Sequence, residues 1–347
     1  MKTETFVLGI LSVLMSFSCA PQLDEGTEIF TWNDIPEPIA LKGDSVAFDE
    51  IMMKPVRVAV VDSLLVVKNR NVERFFYGYN IKTQKKVGEC IPFGIGPKEM
   101  LDPVWVFMPE DTLGIFDRNK RFMDVYSDYR LLVCDTVSPI RRIRFEELLQ
   151  NPVYLPNVGI ISSTFQTEEH KFVLFDLDGN RLSYFGDYPS SYEELTVSEK
   201  VVAFMGDIAV KPDGSRWVMS HKAMDMIEIY DNKLNLSHRI QGPDKIFPEV
   251  EEGYERVHRK GVSREGYFFP VATNQYIYVL YDGRIYDTQN PTRYLRDKLL
   301  VFDWDGTPVK YYKLSKPIFH FDIDEKHGIL YGLSDNPEFH IISFSLF

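Results

Sequence analysis

Cysteine is nearly absent from this chain of 347 residues, three in all. Beyond the extreme N-terminus, no apolar run is long enough to cross a bilayer as a helix. Positive charge is also scarce: 39 Lys plus Arg stand against 51 Asp plus Glu, a formal net charge of −12. That is the wrong sign for a protein whose main partner is a polyphosphate backbone, so nucleic acid is not an expected ligand. The seven histidines fall without a His-Glu-x-x-His or comparable spacing, and no zinc motif exists. Helical periodicity is confined to two short pieces, residues 145–150 and 191–200. What is present is a folded composition, 44% hydrophobic and 26% charged, with 25 Phe and 19 Tyr. Aromatic side chains pack well on pleated surfaces, which points to an all-β chain.

One unit recurs along the sequence: an apolar strand, a turn, a second apolar strand, a polar loop, an alternating aromatic strand, a turn and a last strand. The third strand marks it best. It reads Phe75-Phe76-Tyr77-Gly78-Tyr79, Phe122-Met123-Asp124-Val125-Tyr126, Lys171-Phe172-Val173-Leu174-Phe175, Met226-Ile227-Glu228-Ile229-Tyr230, Lys298-Leu299-Leu300-Val301-Phe302 and Phe339-His340-Ile341-Ile342-Ser343-Phe344. The anchors Tyr79, Tyr126, Phe175, Tyr230, Phe302 and Phe344 are 47, 49, 55, 72 and 42 residues apart. Most of these gaps match the roughly 40 to 50 residues of a four-stranded propeller blade. Asp178-Gly179-Asn180, Asp231-Asn232-Lys233 and Asp305-Gly306-Thr307 follow three of these strands with residues suited to tight hairpins.

Sheets this apolar on both faces must cover one another, and radial stacking does so. The expected fold is a six-bladed β-propeller of four-stranded antiparallel blades, with the ring closed by an N-terminal strand. The last unit ends at Phe347 and lacks an outer strand, and Thr27–Trp32 is the alternating segment expected to supply it. The 72-residue gap before Phe302 leaves room for a helical insertion or a further sheet.

Residues 6–17 form an apolar run of signal-peptide length ahead of Ser18-Cys19, with a polar stretch following. This resembles a bacterial lipoprotein signal, although Ser16 stands where Leu is usual. The resemblance implies a signal peptide over 1–18, lipidation at Cys19, a tether over 19–26 and a propeller over 27–347. Pro92-Phe93-Gly94-Ile95-Gly96-Pro97-Lys98-Glu99-Met100 resembles the Gly-x-Gly-Pro-x-Glu connector of TolB-like six-bladed propeller lipoproteins of Bacteroidota, kin in architecture to NHL-repeat propellers. That likeness implies architecture and an outer-membrane location, periplasmic or surface-exposed, more than chemistry. Cys90 and Cys134 fall near the ends of outermost strands of neighbouring blades, too far apart to bridge, and two free thiols are expected.

Gly94-Ile95-Gly96-Pro97-Lys98 is followed by Glu99 rather than Ser or Thr, so an inter-blade turn is preferred over a phosphate loop. The nearest approach to a metal set is His320-Phe321-Asp322-Ile323-Asp324, whose alternate residues share a face. Their spacing of some 6 to 7 Å along a strand suits a structural role for His320 and Asp322 better than one shared ion. No cofactor is expected.

The face bearing the inter-blade loops and the loops between second and third strands is where propellers usually carry function. Arg70, Arg74, Arg118, Lys120 and Arg121 fall there in the first two blades; the fifth adds Tyr281, Arg284, Tyr286, Arg293 and Arg296. Guanidinium forks and tyrosine rings suit carboxylates, sugars or a protein surface. The reading preferred is a monomeric, lipid-anchored binding module for a protein, peptide or glycan. A propeller lyase or hydrolase acting at the channel mouth is the alternative.

Overall fold

Strands rich in valine, isoleucine and aromatics pair in chain order into six antiparallel sheets, each too apolar to stand alone. The computed structural model describes residues 23–48, 54–70, 73–108, 112–129, 138–167, 169–193, 195–248, 263–287, 289–290, 292 and 294–347. The expected signal segment 1–18, Cys19, the first half of the tether, Cys134 and Arg293 lie outside the described residues.

The sheets are the blades of a propeller: blade 1 (55–92), blade 2 (103–144), blade 3 (153–187), blade 4 (206–241), blade 5 (267–318) and blade 6 (320–345). Third strands occupy Arg74–Asn80, Phe122–Tyr126, His170–Phe175, Met226–Asp231, Arg296–Asp303 and His340–Ser345, within a residue or two of the strands read from the sequence. All six aromatic anchors are buried. At the interface of blades 3 and 4, Trp217 stacks on Tyr230 at 4.1 Å and Phe172 meets the Trp217 ring edge-on at 5.1 Å.

The hairpin aspartates act through their backbone neighbours. Asp176 Oδ1 accepts the amides of Asp178 and Asn180 at 2.9 and 2.8 Å, and Asp231 and Asp303 repeat the arrangement in blades 4 and 5. Each turn needs a left-handed residue, and Gly179 and Gly306 supply it in two of them at φ of 89° and 84°.

An N-terminal strand closes the ring, but it is not the segment expected. Gly43–Val46 pairs antiparallel with Ile341–Phe344 as the outer strand of blade 6. Thr27–Ile29 instead runs parallel to Arg239–Gln241 as a fifth strand of blade 4, and Ile39–Leu41 does the same along Tyr312–Leu314 of blade 5. Residues 27–46 thus form a strap over three successive blades, pinned by buried Phe30, Ile35 and Leu41. The closing strand is polar and short, so its sequence carries little strand signal. Its place is set by packing: a Cβ on Gly43 would fall 2.5 Å from the Phe344 ring, so a side chain there would collide with the blade it closes.

The long gap before Phe302 holds no seventh sheet among the described residues; chain is added in the connection after Gln241 and in the loop between Tyr276–Tyr281 and Arg296–Asp303. Val197–Ala203 is the helix of the 191–200 region, capped by Thr196 and Glu199. Residues 145–150 are irregular, not helical; Phe145 and Leu149 are instead buried in the core between blades 2 and 3.

Candidate functional site

The first strand of every blade is innermost, and together the six line a central cavity of about 740 Å³. Each of these strands starts at the face where each second strand ends, because an antiparallel hairpin returns the chain to its own side. That geometry collects on one rim the residues that open innermost strands and those that close second strands. The former include Arg57, Asp207 and His320, with Asp102 and Asn151 just upstream of their strands; the latter include Lys68, Arg118 and Lys222.

These side chains form one connected network. Lys68 Nζ donates to Asp102 Oδ1 at 2.7 Å, and Arg118 Nη1 reaches Asp102 Oδ2 at 3.4 Å. Arg118 Nη2 and Arg57 Nη2 both donate to Asn151 Oδ1, at 2.7 and 3.3 Å, so two guanidiniums converge on one neutral oxygen. Asn151 Nδ2 donates to Asp207 Oδ1 at 3.1 Å, and Lys222 Nζ pairs with Asp207 Oδ2 at 3.0 Å.

Charge also couples the members of the group. Burial pushes the Lys68 ammonium down to about 8 against the pull of Asp102, with Arg118 and Arg57 adding to the fall. Burial, then Arg57 and Arg70, lower the Arg118 guanidinium. Burial alone would raise Asp102 and Asp207, but Lys68, Arg118 and Arg70 together outweigh it at the first, and chiefly Lys222 and Arg57 together at the second, so both carboxylates lie below their ordinary range. Five cations, Arg57, Lys68, Arg70, Arg118 and Lys222, therefore surround two carboxylates. Asp117, beside Arg118, is taken up by the amides of Leu101, Asn119 and Lys120. Among the described residues the mouth carries a positive excess, in a chain whose net charge is −12.

His320 and Asp322 join strands. His320 Nδ1 accepts the Val58 amide at 3.4 Å and Asp322 Oδ2 accepts the Val60 amide at 2.7 Å, across the seam between blades 6 and 1. Burial, reinforced by Arg57, brings His320 down to about 3, while burial raises Asp322 to about 6. Among the described residues no group of three or more His, Cys, Asp or Glu is placed to hold a metal ion. Asp324 serves a turn, accepting the His327 amide at 3.1 Å.

The residues singled out from sequence divide. Arg118 sits at the centre of the network and Arg70 acts on it through its charge. Arg74 pairs with Glu89 at 3.4 Å, and Arg121 donates to the Glu146 carbonyl at 3.5 Å. Tyr281 is buried and donates to Asp244 at 2.6 Å; Arg284 forks onto Asp282 at 2.7 and 2.9 Å; the Tyr286 amide bonds to the Ser263 carbonyl at 2.7 Å. The structure does not bring this fifth-blade group to the mouth. Arg57, Asn151 and Asp207 escaped sequence reasoning because each reads as a polar residue flanking or opening a strand. The available signal was their shared position in the repeat. Lys120 donates to the Glu99 carbonyl at 2.7 Å, Glu99 Oε2 accepts the Gly96 amide at 2.8 Å and the Met100 carbonyl accepts the Gly94 amide at 3.0 Å, so both glycine amides of the Gly94–Pro97 loop are taken up within the connector.

Six blades of four antiparallel strands, two of them extended by a parallel fifth strand, around a lined channel define a six-bladed propeller. The family model described as TolB-like 6-blade propeller-like matches residues 36–326, and the chain belongs to that family. Among solved structures it is similar to a member of the DUF4221 family from Bacteroides vulgatus, with a TM-score of 0.58, 10% identity and coverage of 88% of this chain and 95% of the other. It is also similar to a Bacteroides fragilis protein described as exported, with a TM-score of 0.56, 11% identity and coverage of 88% and 94%. The WD40 domain of Neurospora crassa Pan2 aligns at a TM-score of 0.50 and 12% identity, over 84% of this chain and 89% of that domain. At these identities the likeness is one of fold. No curated protein matches the chain.

Proposed function

We propose that this chain is an exported binding propeller, held at the cell envelope through lipidated Cys19, whose channel face receives an acidic protein, peptide or glycan. The single observation that carries the reading is the excess of cations gathered at the channel mouth of a strongly acidic protein. The signal-like segment ending at Cys19, and the description of the Bacteroides fragilis neighbour as exported, support the location. A catalytic reading is less favoured on a specific ground. The imidazole lining the channel, His320, is held neutral by burial and commits Nδ1 to the Val58 amide, leaving it poorly placed as a general base.

Two measurements test the proposal. Mass spectrometry of the mature N-terminus should find acylated Cys19, and Cys19→Ser should move the protein from the membrane to the soluble fraction; an unmodified mature protein in the soluble fraction would refute the anchor. Crosslinking in intact cells should recover an acidic partner from wild type and far less from the Arg57→Gln, Arg118→Gln double variant. Equal recovery would move the binding face elsewhere.

A further inference from the structure

The mouth differs from the rest of the rim in how its charge is spent. Arg74 and Arg284 meet carboxylates, and Arg121 and Lys120 meet carbonyls, whereas Arg118 shares Asp102 with Lys68 and turns its other amino group to the neutral Asn151. Among the described residues the Arg57 guanidinium makes one hydrogen bond, to the neutral Asn151, and its nearest acid, Asp207, is 4.0 Å away. Arg118 Nε is buried without a partner among the described residues. An orphaned buried donor beside a repelled guanidinium is costly unless something anionic completes the set.

The geometry is a recess rather than a track. Arg57, Arg118 and Lys222 side chains are 27%, 24% and 25% exposed, with Lys68 at 3% beneath them, and Arg57, Asn151 and Asp207 line the central cavity. A repeating polyanion needs cations in a row along an open surface. Here the excess is confined to one pocket mouth, and the volume of about 740 Å³ behind it lies in the range of small-molecule sites. Two planar guanidinium forks meeting at one amide oxygen, with the partly exposed Lys222 ammonium on Asp207 beside them, match two or more carboxylates on one small skeleton.

From this arrangement we propose that the channel mouth binds a small polycarboxylate, one carboxylate taken by Arg57 and Arg118 together and a second by Lys222. The inference rests on the channel face being the binding face and narrows its ligand to a multivalent organic oxyanion. On binding, Asn151 gives up part of its role as the acceptor shared by Arg57 and Arg118.

Isothermal titration calorimetry of the purified protein, with citrate, tricarballylate, acetate, inorganic phosphate and polyglutamate as the probes, tests it. Citrate or tricarballylate should bind at least tenfold more tightly than acetate. Arg57→Gln and Arg118→Gln should each weaken that binding tenfold or more, while Arg121→Gln leaves it unchanged. Circular dichroism melts of each variant separate lost binding from lost folding; should Arg118→Gln fail to fold, Lys222→Gln takes its place. Phosphate binding more tightly than either polycarboxylate would overturn the assignment in favour of a tetrahedral anion. Binding of polyglutamate alone, lost in the same variants, would overturn this inference and leave the channel-face reading standing. Absence of binding by every probe overturns the inference, and only retention of the cellular crosslink by the double variant removes the wider reading with it.

Discussion

Two clusters of charge in this propeller are built from the same residue types and do opposite things. Between blades 3 and 4, Glu228 is completely buried and both its oxygens are saturated: Lys171 Nζ donates to each at 2.6 Å, Arg239 Nε to Oε1 at 2.9 Å, His221 Nε2 lies 3.2 Å and the Tyr230 hydroxyl 3.0 Å from Oε2. Burial alone would raise this carboxyl, but Lys171 and His221, followed by Arg239, hold it well below its ordinary value. At the channel mouth the cations outnumber the acids, a neutral amide stands between two guanidiniums, and the set stays partly open to water. The closed cluster is a structural joint. The open one is stabilised only in part by its own protein, which is what a binding site for charge requires.

The comparison breaks most completely when the ring is opened. Deleting residues 23–46 removes the closing strand, buried Phe30, Ile35 and Leu41, and Asp24, which accepts the Ser190 and Ser191 amides and pairs with Arg239. Burial of three such side chains is worth on the order of 5 kcal/mol, comparable to the whole stability of a domain. The truncated chain should lack a cooperative thermal transition, and an unchanged melt would show that the blades hold without the strap.

Next in size, Glu228→Gln should cost about 3 to 5 kcal/mol in urea unfolding, since it leaves Lys171 buried without a counter-charge. At the open cluster the same kind of change should be nearly silent for folding. Arg118→Gln relieves repulsion from Arg57 and leaves Asp102 paired with Lys68, so its unfolding free energy should stay within about 1 kcal/mol of wild type. Equal costs at the two sites would erase the distinction drawn between them.

The smallest effect sharpens the boundary between mouth and seam. His320 titrates at about 3 in the folded protein against an ordinary 6.5, so between these values the unfolded chain binds a proton that the folded chain refuses. Its contribution to stability is present above pH 6.5 and is lost as pH falls, by at most about 1.4 kcal/mol per unit. Asp322, raised to about 6 from 3.8, works in the opposite sense between those values, where the folded form holds the proton more tightly. His320→Asn should therefore be less stable than wild type at pH 7.5, and the gap should close by about 2 kcal/mol at pH 5. A gap that stays constant with pH would mean that His320 titrates normally.

Much of this fold is legible in the sequence. The aromatic third strands at blade spacing placed all six sheets, because each anchor must be buried between neighbours and hydrophobic alternation survives divergence of everything else. The Asp-Gly hairpins were readable because turn chemistry is local. The closing strand falls elsewhere than expected because, of the alternating segment Thr27–Trp32, Thr27–Ile29 is a strand but on another blade, whereas Gly43–Val46 has no apolar pattern to announce it.

Residue types and their period along the chain determined that six like sheets would form and on which rim their loops would gather, since both follow from near-neighbour preferences. Which five cations share two acids, which tyrosine is buried and which arginine meets its own carboxylate depended on residues as far apart as Arg57 and Asp207 arriving at one channel. Coulomb energy varies with distance through space, and only ring closure set those distances.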